Sequence, residues 1–270
     1  MANEKISIIM GIYNCAQTLP DAIDSIINQT YTNWQLIMCD DCSTDDTYKV
    51  AEDYKNKYPE KIVLVRNDVN SSLAFSLNHC LKYAVGEYIA RMDGDDISSP
   101  ERFEKQIAFL KQNPDFDLVG TSMQRFDNDK FVDIVRLPER PDKFILKNTS
   151  PFCHATILAR RKVYDDLKGY TVSKHTARCE DLDLWFRFYK NGFNGANIDE
   201  PLYFVRENLS AIKRRTFKSR IHGIKTRLLG FKMLNFPKIW YFQVVCRDFL
   251  KSVIPYKIIA IYRKWQARNR

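Results

Sequence analysis

Short β-branched runs alternate with helix-patterned stretches through the first 120 residues, and this alternation narrows the possible folds more than any other feature. Ile6-Ser7-Ile8-Ile9-Met10-Gly11-Ile12 is too short and too β-branched for a helix and predicts a buried strand. Thr18-Leu19-Pro20-Asp21 then opens a helix to about Asn28, with Ala22, Ile23, Ile26 and Ile27 at helical spacing. The same reading predicts strands at 34–39, 61–66 and 87–92, and helices from about 47 to 58, over 73–85 and over 101–112. A further strand starts at Leu118. Strands and helices in strict turn imply a mostly parallel sheet covered by helices.

In such sheets ligands bind at the carboxyl ends of the strands, and acidic residues sit there. Asp40 and Asp41 follow the second strand. Arg91-Met92-Asp93-Gly94-Asp95-Asp96 follows the fourth. Three carboxylates within four positions repel one another and shift each other's pKa values unless a cation lies among them. An all-oxygen ligand set suits Mg²⁺ or Mn²⁺, which keep part of their shell for substrate phosphates. A nucleotide-diphosphate substrate is the first hypothesis. Taken alone, the motif also reads as an acidic turn before the helix signals Ser98-Ser99-Pro100-Glu101. The chain has neither GxGxxG nor GxxxxGK[ST], which disfavours a dinucleotide fold or a P-loop.

Residues 121–210 are more irregular, with a hairpin turn at 126–131, a strand at 156–159 and a helix from Glu180 through Phe188. Seven cysteines at irregular spacing do not form a disulfide framework, and reduced thiols suit the cytosol. Cys39-x-x-Cys42 encloses Asp40 and Asp41 and lacks a second pair, so it predicts neither a redox motif nor a zinc site. No signal peptide is read at the start. No run of eighteen apolar residues exists, and Ile239–Tyr262 is interrupted by Arg247, Asp248, Lys251, Pro255 and Lys257.

Five segments together resemble family 2 glycosyltransferases of the GT-A fold: Ser7 to Asn14, Asp40 to Thr47, Gly86 to Asp96, His154-Ala155-Thr156, and Glu180 to Trp185. The nearest likeness is to bacterial enzymes that build O-antigen, capsule and related surface polysaccharides. The resemblance implies a GT-A domain over 1–210, with a nucleotide-sugar half (1–100) and an acceptor half (101–210). It implies an inverting, metal-dependent transfer of a hexose, glucose or galactose, from a UDP-sugar to a saccharide on a polyprenyl diphosphate. UDP-N-acetylhexosamine is the alternative donor, and a non-catalytic membrane-docked binding protein the alternative class.

By the same resemblance, the Tyr13 segment and Asp41 hold the uracil and ribose. Asp93 lies near the ribose or the metal's outer shell, and Asp95 is the main ligand of Mn²⁺ or Mg²⁺. Asp181 is the catalytic base, and His154 contacts acceptor or phosphate. Plainer readings stand beside these. Asp41 could make an Asx turn, Asp96 could cap the next helix, and Arg91 could pair with the acidic cluster. Asp181 could be an N-cap, Glu180 or Asp183 a solvated face, and Trp185 core. Cys42 stands where the family often has Gly, and Ala155 where Pro is common.

Charge divides the chain. Residues 211–270 hold sixteen Lys or Arg and a single acid, Asp248, whereas the rest is net acidic. The cations are interleaved with aromatics such as Phe231, Phe236, Trp240 and Phe242. This predicts a basic amphipathic helical tail on an anionic membrane surface at the inner face of the plasma membrane. A helix pair packed on the body is the structural alternative. Nucleic-acid binding is not expected, because no module for it is recognisable.

Overall fold

A computed structural model describes residues 4–127, 130–206 and 217–253. The strand–helix alternation is realised as β1 (Ile6–Ile12), α1 (Leu19–Ile27), β2 (Trp34–Asp40), α2 (Thr47–Lys57), β3 (Ile62–Arg66), α3 (Leu73–Leu81), β4 (Tyr88–Arg91), β5 (Ile97–Ser98) and α4 (Arg102–Gln112). There follow β6 (Leu118–Asp127), β7 (Lys130–Val135), β8 (Leu158–Arg160), α5 (Arg161–Leu167), α6 (Glu180–Lys190) and β9 (Gly195–Arg206). Two helices close the described chain, α7 (Phe217–Met233) and α8 (Lys238–Val253).

The strands form one nine-stranded sheet among the described residues, in the order β3-β2-β1-β4-β8-β6-β9-β5, with β7 against β6. β3, β2, β1 and β4 are parallel, so their carboxyl ends open on one edge. Beyond β4 the sheet is mixed: β8 is antiparallel to both β4 and β6, while β6 and β9 are parallel.

Alternation along the strands sends side chains to two cores. Ile9, Ile37 and Ile89 face one side, with Leu77, Trp185, Phe186 and Phe188. Ile8, Met10, Leu36, Met38 and Ala90 face the other, with Ile23, Phe103 and Ile107. Both faces of β1 and β2 are buried, which is why their sequences are continuously apolar. α1 buries Leu19, Ala22, Ile23 and Ile26 along one stripe and carries Pro20 in its first turn, where the missing N–H costs nothing.

Three elements depart from the sequence reading. α3 ends at Leu81, and Lys82–Val85 makes the turn into β4. β8 begins at Leu158, after a 3-10 turn over His154–Thr156. β9 escapes the pattern because Asp199-Glu200-Pro201 interrupts it. The ladder with β6 slips there, pairing Ile198 with Thr121 but Pro201 with Ser122, so the strand bulges around its polar insert.

Candidate active site

The register of β1 against β2 pairs Ile12 with Asp40, which brings the loops after both strands together. The Asp41 N–H donates to the Ile12 carbonyl at 2.9 Å. Asn14, at φ +49, accepts from the Thr44 N–H at 2.9 Å and donates its own N–H to Ser43 Oγ at 3.1 Å. Tyr13 lies within this tied pair of loops with its ring exposed. The two adjacent aspartates have separate tasks. Asp40 is fully buried, accepts from the Ser43 N–H and pairs with Arg66 at 3.0 Å. The turn-forming role is therefore that of Asp40.

Asp41 is 7% exposed, and its Oδ1 accepts from Asn67 Nδ2 at 2.7 Å and from the Ser71 N–H at 2.9 Å. Its Oδ2 has no protein partner among the described residues, so one oxygen of a fixed carboxylate remains for a ligand N–H. Asn67 is itself held by Ser76 Oγ at 2.9 Å and by the His79 ring at 3.0 Å. The sequence reading passed over Asn67, although the strand-end rule that singles out Asp41 applies equally to the residue after β3.

β4 delivers the second cluster. Ligand oxygens of Asp93, Asp95 and Asp96 lie within 4.8 Å of one another. Arg91, 5% exposed in its side chain, forms a bidentate pair with Asp93. Burial, then the neighbouring Asp93 and Asp95 charges, push the Asp96 carboxyl well above the usual range. One arginine among three carboxylates leaves excess negative charge, and an all-oxygen donor set of this size fits a hard divalent cation. Asp93, Asp95 and Asp96 are the residues that could hold one.

Asp96 does not cap the next helix: its Oδ1 accepts the Arg206 N–H of β9 at 2.8 Å, and Glu101 occupies the cap position of α4. The loop is pinned from three sides. Thr18 Oγ1 donates to the Gly94 carbonyl at 3.1 Å, Arg206 Nε donates to the Asp95 carbonyl at 3.1 Å, and the Asp93 N–H donates to the Tyr203 hydroxyl at 3.1 Å. No local sequence signal marks Arg206 or Tyr203, because β9 reaches this edge only through the sheet.

The third group comes from α6 and the turn before β8. Asp181 stands in the first turn of α6, whose N-cap is Cys179, so it is not the cap. Its Oδ1 accepts the Leu182 N–H at 2.7 Å, and its Oδ2 has no protein partner among the described residues. Burial raises the Asp181 pKa. Glu180 is raised as well, by burial and then by Asp181, and it senses Asp93, so the start of α6 and the acidic loop share one electrostatic neighbourhood. Neither Glu180 nor Asp183 is a solvated face: both are partly buried, and Asp183 pairs with Arg187 at 2.8 Å. Trp185 is core, fully buried with its ring 5.1 Å from that of Phe152.

His154 Nε2 meets the Tyr170 hydroxyl at 2.8 Å, and Tyr170 meets Tyr164 at 3.1 Å. Burial, then the Arg91 charge, holds the His154 pKa well below its ordinary value, so the ring is neutral near pH 7. Arg91 thus acts electrostatically on both Asp181 and His154 while pairing with Asp93. The site comprises a single-oxygen acceptor at Asp41, a cation-ready triad, and a carboxylate of raised pKa with one free oxygen.

Comparison with known proteins settles the family. The profile of glycosyl transferase family 2 matches residues 7–168. The chain is 43% identical to EpsE of Bacillus subtilis (strain 168), which is named as a glycosyltransferase, over 98% of this chain and 95% of that one. This chain belongs to glycosyl transferase family 2. It is also 32% identical, over 79% of its length and 81% of the relative's, to Escherichia coli WfgD, named as a UDP-Glc:alpha-D-GlcNAc-diphosphoundecaprenol beta-1,3-glucosyltransferase. Among solved structures, S. aureus TarS in complex with UDP-GlcNAc superposes with a TM-score of 0.71 at 20% identity, covering 91% of this chain and 71% of that one. The Pyrobaculum calidifontis mannosyltransferase PcManGT, in complex with GDP-Man and Mn²⁺, gives 0.64 at 16% identity, covering 99% and 81%. The fold of this family 2 member is GT-A. Cys42, where the resemblance led one to expect Gly, has φ +62, a left-handed conformation that glycine adopts without strain.

Proposed function

We propose that this family 2 glycosyltransferase is inverting and metal-dependent, and transfers a hexose from a UDP-sugar to a saccharide on a polyprenyl diphosphate in surface-polysaccharide synthesis. The observation that carries the reading is the triad Asp93, Asp95 and Asp96 at the end of β4, a strand parallel, through β1, to the β2 strand that Asp41 follows. The names of WfgD and WfaP, both UDP-Glc:alpha-D-GlcNAc-diphosphoundecaprenol beta-1,3-glucosyltransferases, support glucose and a lipid-diphosphate acceptor. The TarS complex with UDP-GlcNAc keeps UDP-N-acetylhexosamine as the second donor.

In this reading the free oxygen of Asp41 accepts the uracil N–H, a charge-assisted bond that discriminates among bases. Tyr13 lies beside the nucleoside, and Asp93 lies toward the ribose. Asp95, with Asp96 and Asp93 beside it, would hold Mn²⁺ or Mg²⁺. When bound, that cation supplies positive charge to the diphosphate leaving group. Asp181 Oδ2 takes the proton of the acceptor hydroxyl as its oxygen bonds to the anomeric carbon and the bond from that carbon to the β-phosphate oxygen breaks, releasing UDP. Its raised pKa makes it a stronger base than an exposed aspartate. His154, neutral and fixed by Tyr170, is left with Nδ1 to bind acceptor or phosphate.

The test is a thermal-shift screen of nucleotide sugars with and without Mn²⁺, since a ligand of the folded state alone stabilises it by mass action. A Mn²⁺-dependent shift with one UDP-hexose, lost in Asp95→Ala, is expected. A shift only with a GDP-sugar, or one indifferent to EDTA, overturns the donor or the metal assignment respectively.

A further inference from the structure

The outer side of α8 has no partner in the described structure, although its composition requires one. The inner side is fully used. Val244 is 1% exposed, Trp240 packs against Phe231 and Phe236, and Tyr241 packs against Phe231. The opposite side is also apolar: Ile239 is 58% exposed and Phe242 68%, with Val245 beside them one turn on. Between Ile239 and Val245, α8 therefore carries large apolar side chains on both sides, and the outer ones belong in a core or against an apolar phase. Phe144, also exposed, belongs to the inner edge, where it meets Phe236 at 5.8 Å and Trp240 at 6.0 Å. On α7, Leu229 is 59% exposed and lies between Lys225 and Lys232 on one stripe.

The charges around this patch identify its occupant. Lys238 opens α8 in the open, and the exposed Lys225 and Lys232 flank Leu229 on α7, whereas Lys147 and Lys143 lie on the inner edge over the Trp240 and Phe144 rings. Asp142, on the inner edge beside Lys143, accepts the Phe144 N–H at 2.9 Å. No described helix is long and apolar enough to cross a membrane. Apolar side chains ringed by lysines match the boundary between acyl chains and anionic headgroups. A second copy fits poorly, because an isologous pair would set these lysines against themselves.

We propose that the exposed face of the α7–α8 hairpin, centred on Ile239 and Phe242, docks this protein on an anionic lipid bilayer. The proposal does not depend on the donor or acceptor named above, since docking needs neither.

The experiment is flotation of the full chain with phosphatidylcholine vesicles, with and without phosphatidylglycerol, at physiological salt and without nucleotide. The parent is expected to float with the anionic vesicles. Ile239→Ser/Phe242→Ser is expected to lower the partition at least about tenfold, because each exposed side chain loses its burial in lipid. Lys232→Glu/Lys238→Glu, which leaves the apolar patch intact, is expected to abolish the preference for anionic vesicles. Phe131→Ser, at an exposed apolar residue on β7, serves as the control and should float like the parent. All these side chains are exposed, so unchanged thermal unfolding should accompany each variant. Equal flotation of the apolar double variant and the parent overturns the proposal. So does a parent that ignores vesicles, with or without a dimer in light scattering that the double variant dissolves.

Discussion

Arg91→Met isolates the electrostatic design of the site. Met keeps much of the apolar stem and removes the guanidinium from a pair in which Arg91 is 5% and Asp93 30% exposed. Breaking a buried ion pair by deleting one partner costs about 3–5 kcal/mol, because the other charge is stranded. Asp93 retains some solvent, which places the cost near the lower end, about 3 kcal/mol. The stranded carboxylate also faces Asp95 and Asp96, which adds repulsion. For a domain of this size about 3 kcal/mol corresponds to roughly 6–12 °C in Tm.

The decisive measurement is thermal unfolding in EDTA and in Mn²⁺. In EDTA the variant should melt lower by that amount. Mn²⁺ should raise its Tm by more than it raises the parent's, since the cation supplies the charge that Arg91 supplied and no longer competes with it for Asp93. Arg91→Met/Asp93→Asn should recover much of the loss in EDTA. A variant melting within about 2 °C of the parent in EDTA, or a Mn²⁺ increment no larger than the parent's, refutes the reasoning.

Asp181→Asn should leave the UDP-sugar thermal shift intact and reduce transfer by about 10²–10⁴-fold; residual transfer above a tenth of the parent's removes the base role. Because burial raises the Asp181 pKa, the proton-free base is lost at a higher pH than it would be for an exposed aspartate. Transfer should therefore decline on the acid side earlier than for an exposed aspartate, as a kcat–pH profile will show. Gly230→Ala tests how α7 is seated: a Cβ there would lie 2.2 Å from ring atoms of Phe186. Overpacking of about 1–3 kcal/mol outweighs a helix-propensity gain of at most about 1 kcal/mol, so proteolysis within α7 should quicken and Tm should fall. Cys42→Gly relieves a left-handed residue worth about 1–2 kcal/mol and loosens the unfolded chain by less, for a net gain of about 0.5–1 kcal/mol in urea unfolding. Lost stability would mean that the Cys42 side chain makes a contact worth more than the strain.

Local chemistry made the first half of this protein legible. β1, β2 and β4 are buried on both faces, so their apolar runs could be read directly. The strand–helix rhythm then fixed which loops share an edge, and with it Asp41 and the Asp93–Asp96 cluster. Asp181 became visible only through the Glu180–Trp185 motif, because its chemistry depends on how α6 approaches the sheet, which no local pattern encodes. Tertiary structure alone divided the work of neighbouring aspartates, giving Asp40 to the turn and Arg66 and leaving Asp41 an open oxygen. It tied Asp96 to β9 instead of α4 and supplied Tyr203 and Arg206 from a strand distant in sequence. It also separated the apolar residues of the basic tail into an inner set packed on Phe231 and an outer set of Ile239, Phe242 and Val245. The reason is the same throughout: periodicity records whether a residue is apolar and which face it takes, whereas pKa shifts, free lone pairs and unpartnered faces depend on neighbours brought together by the sheet order.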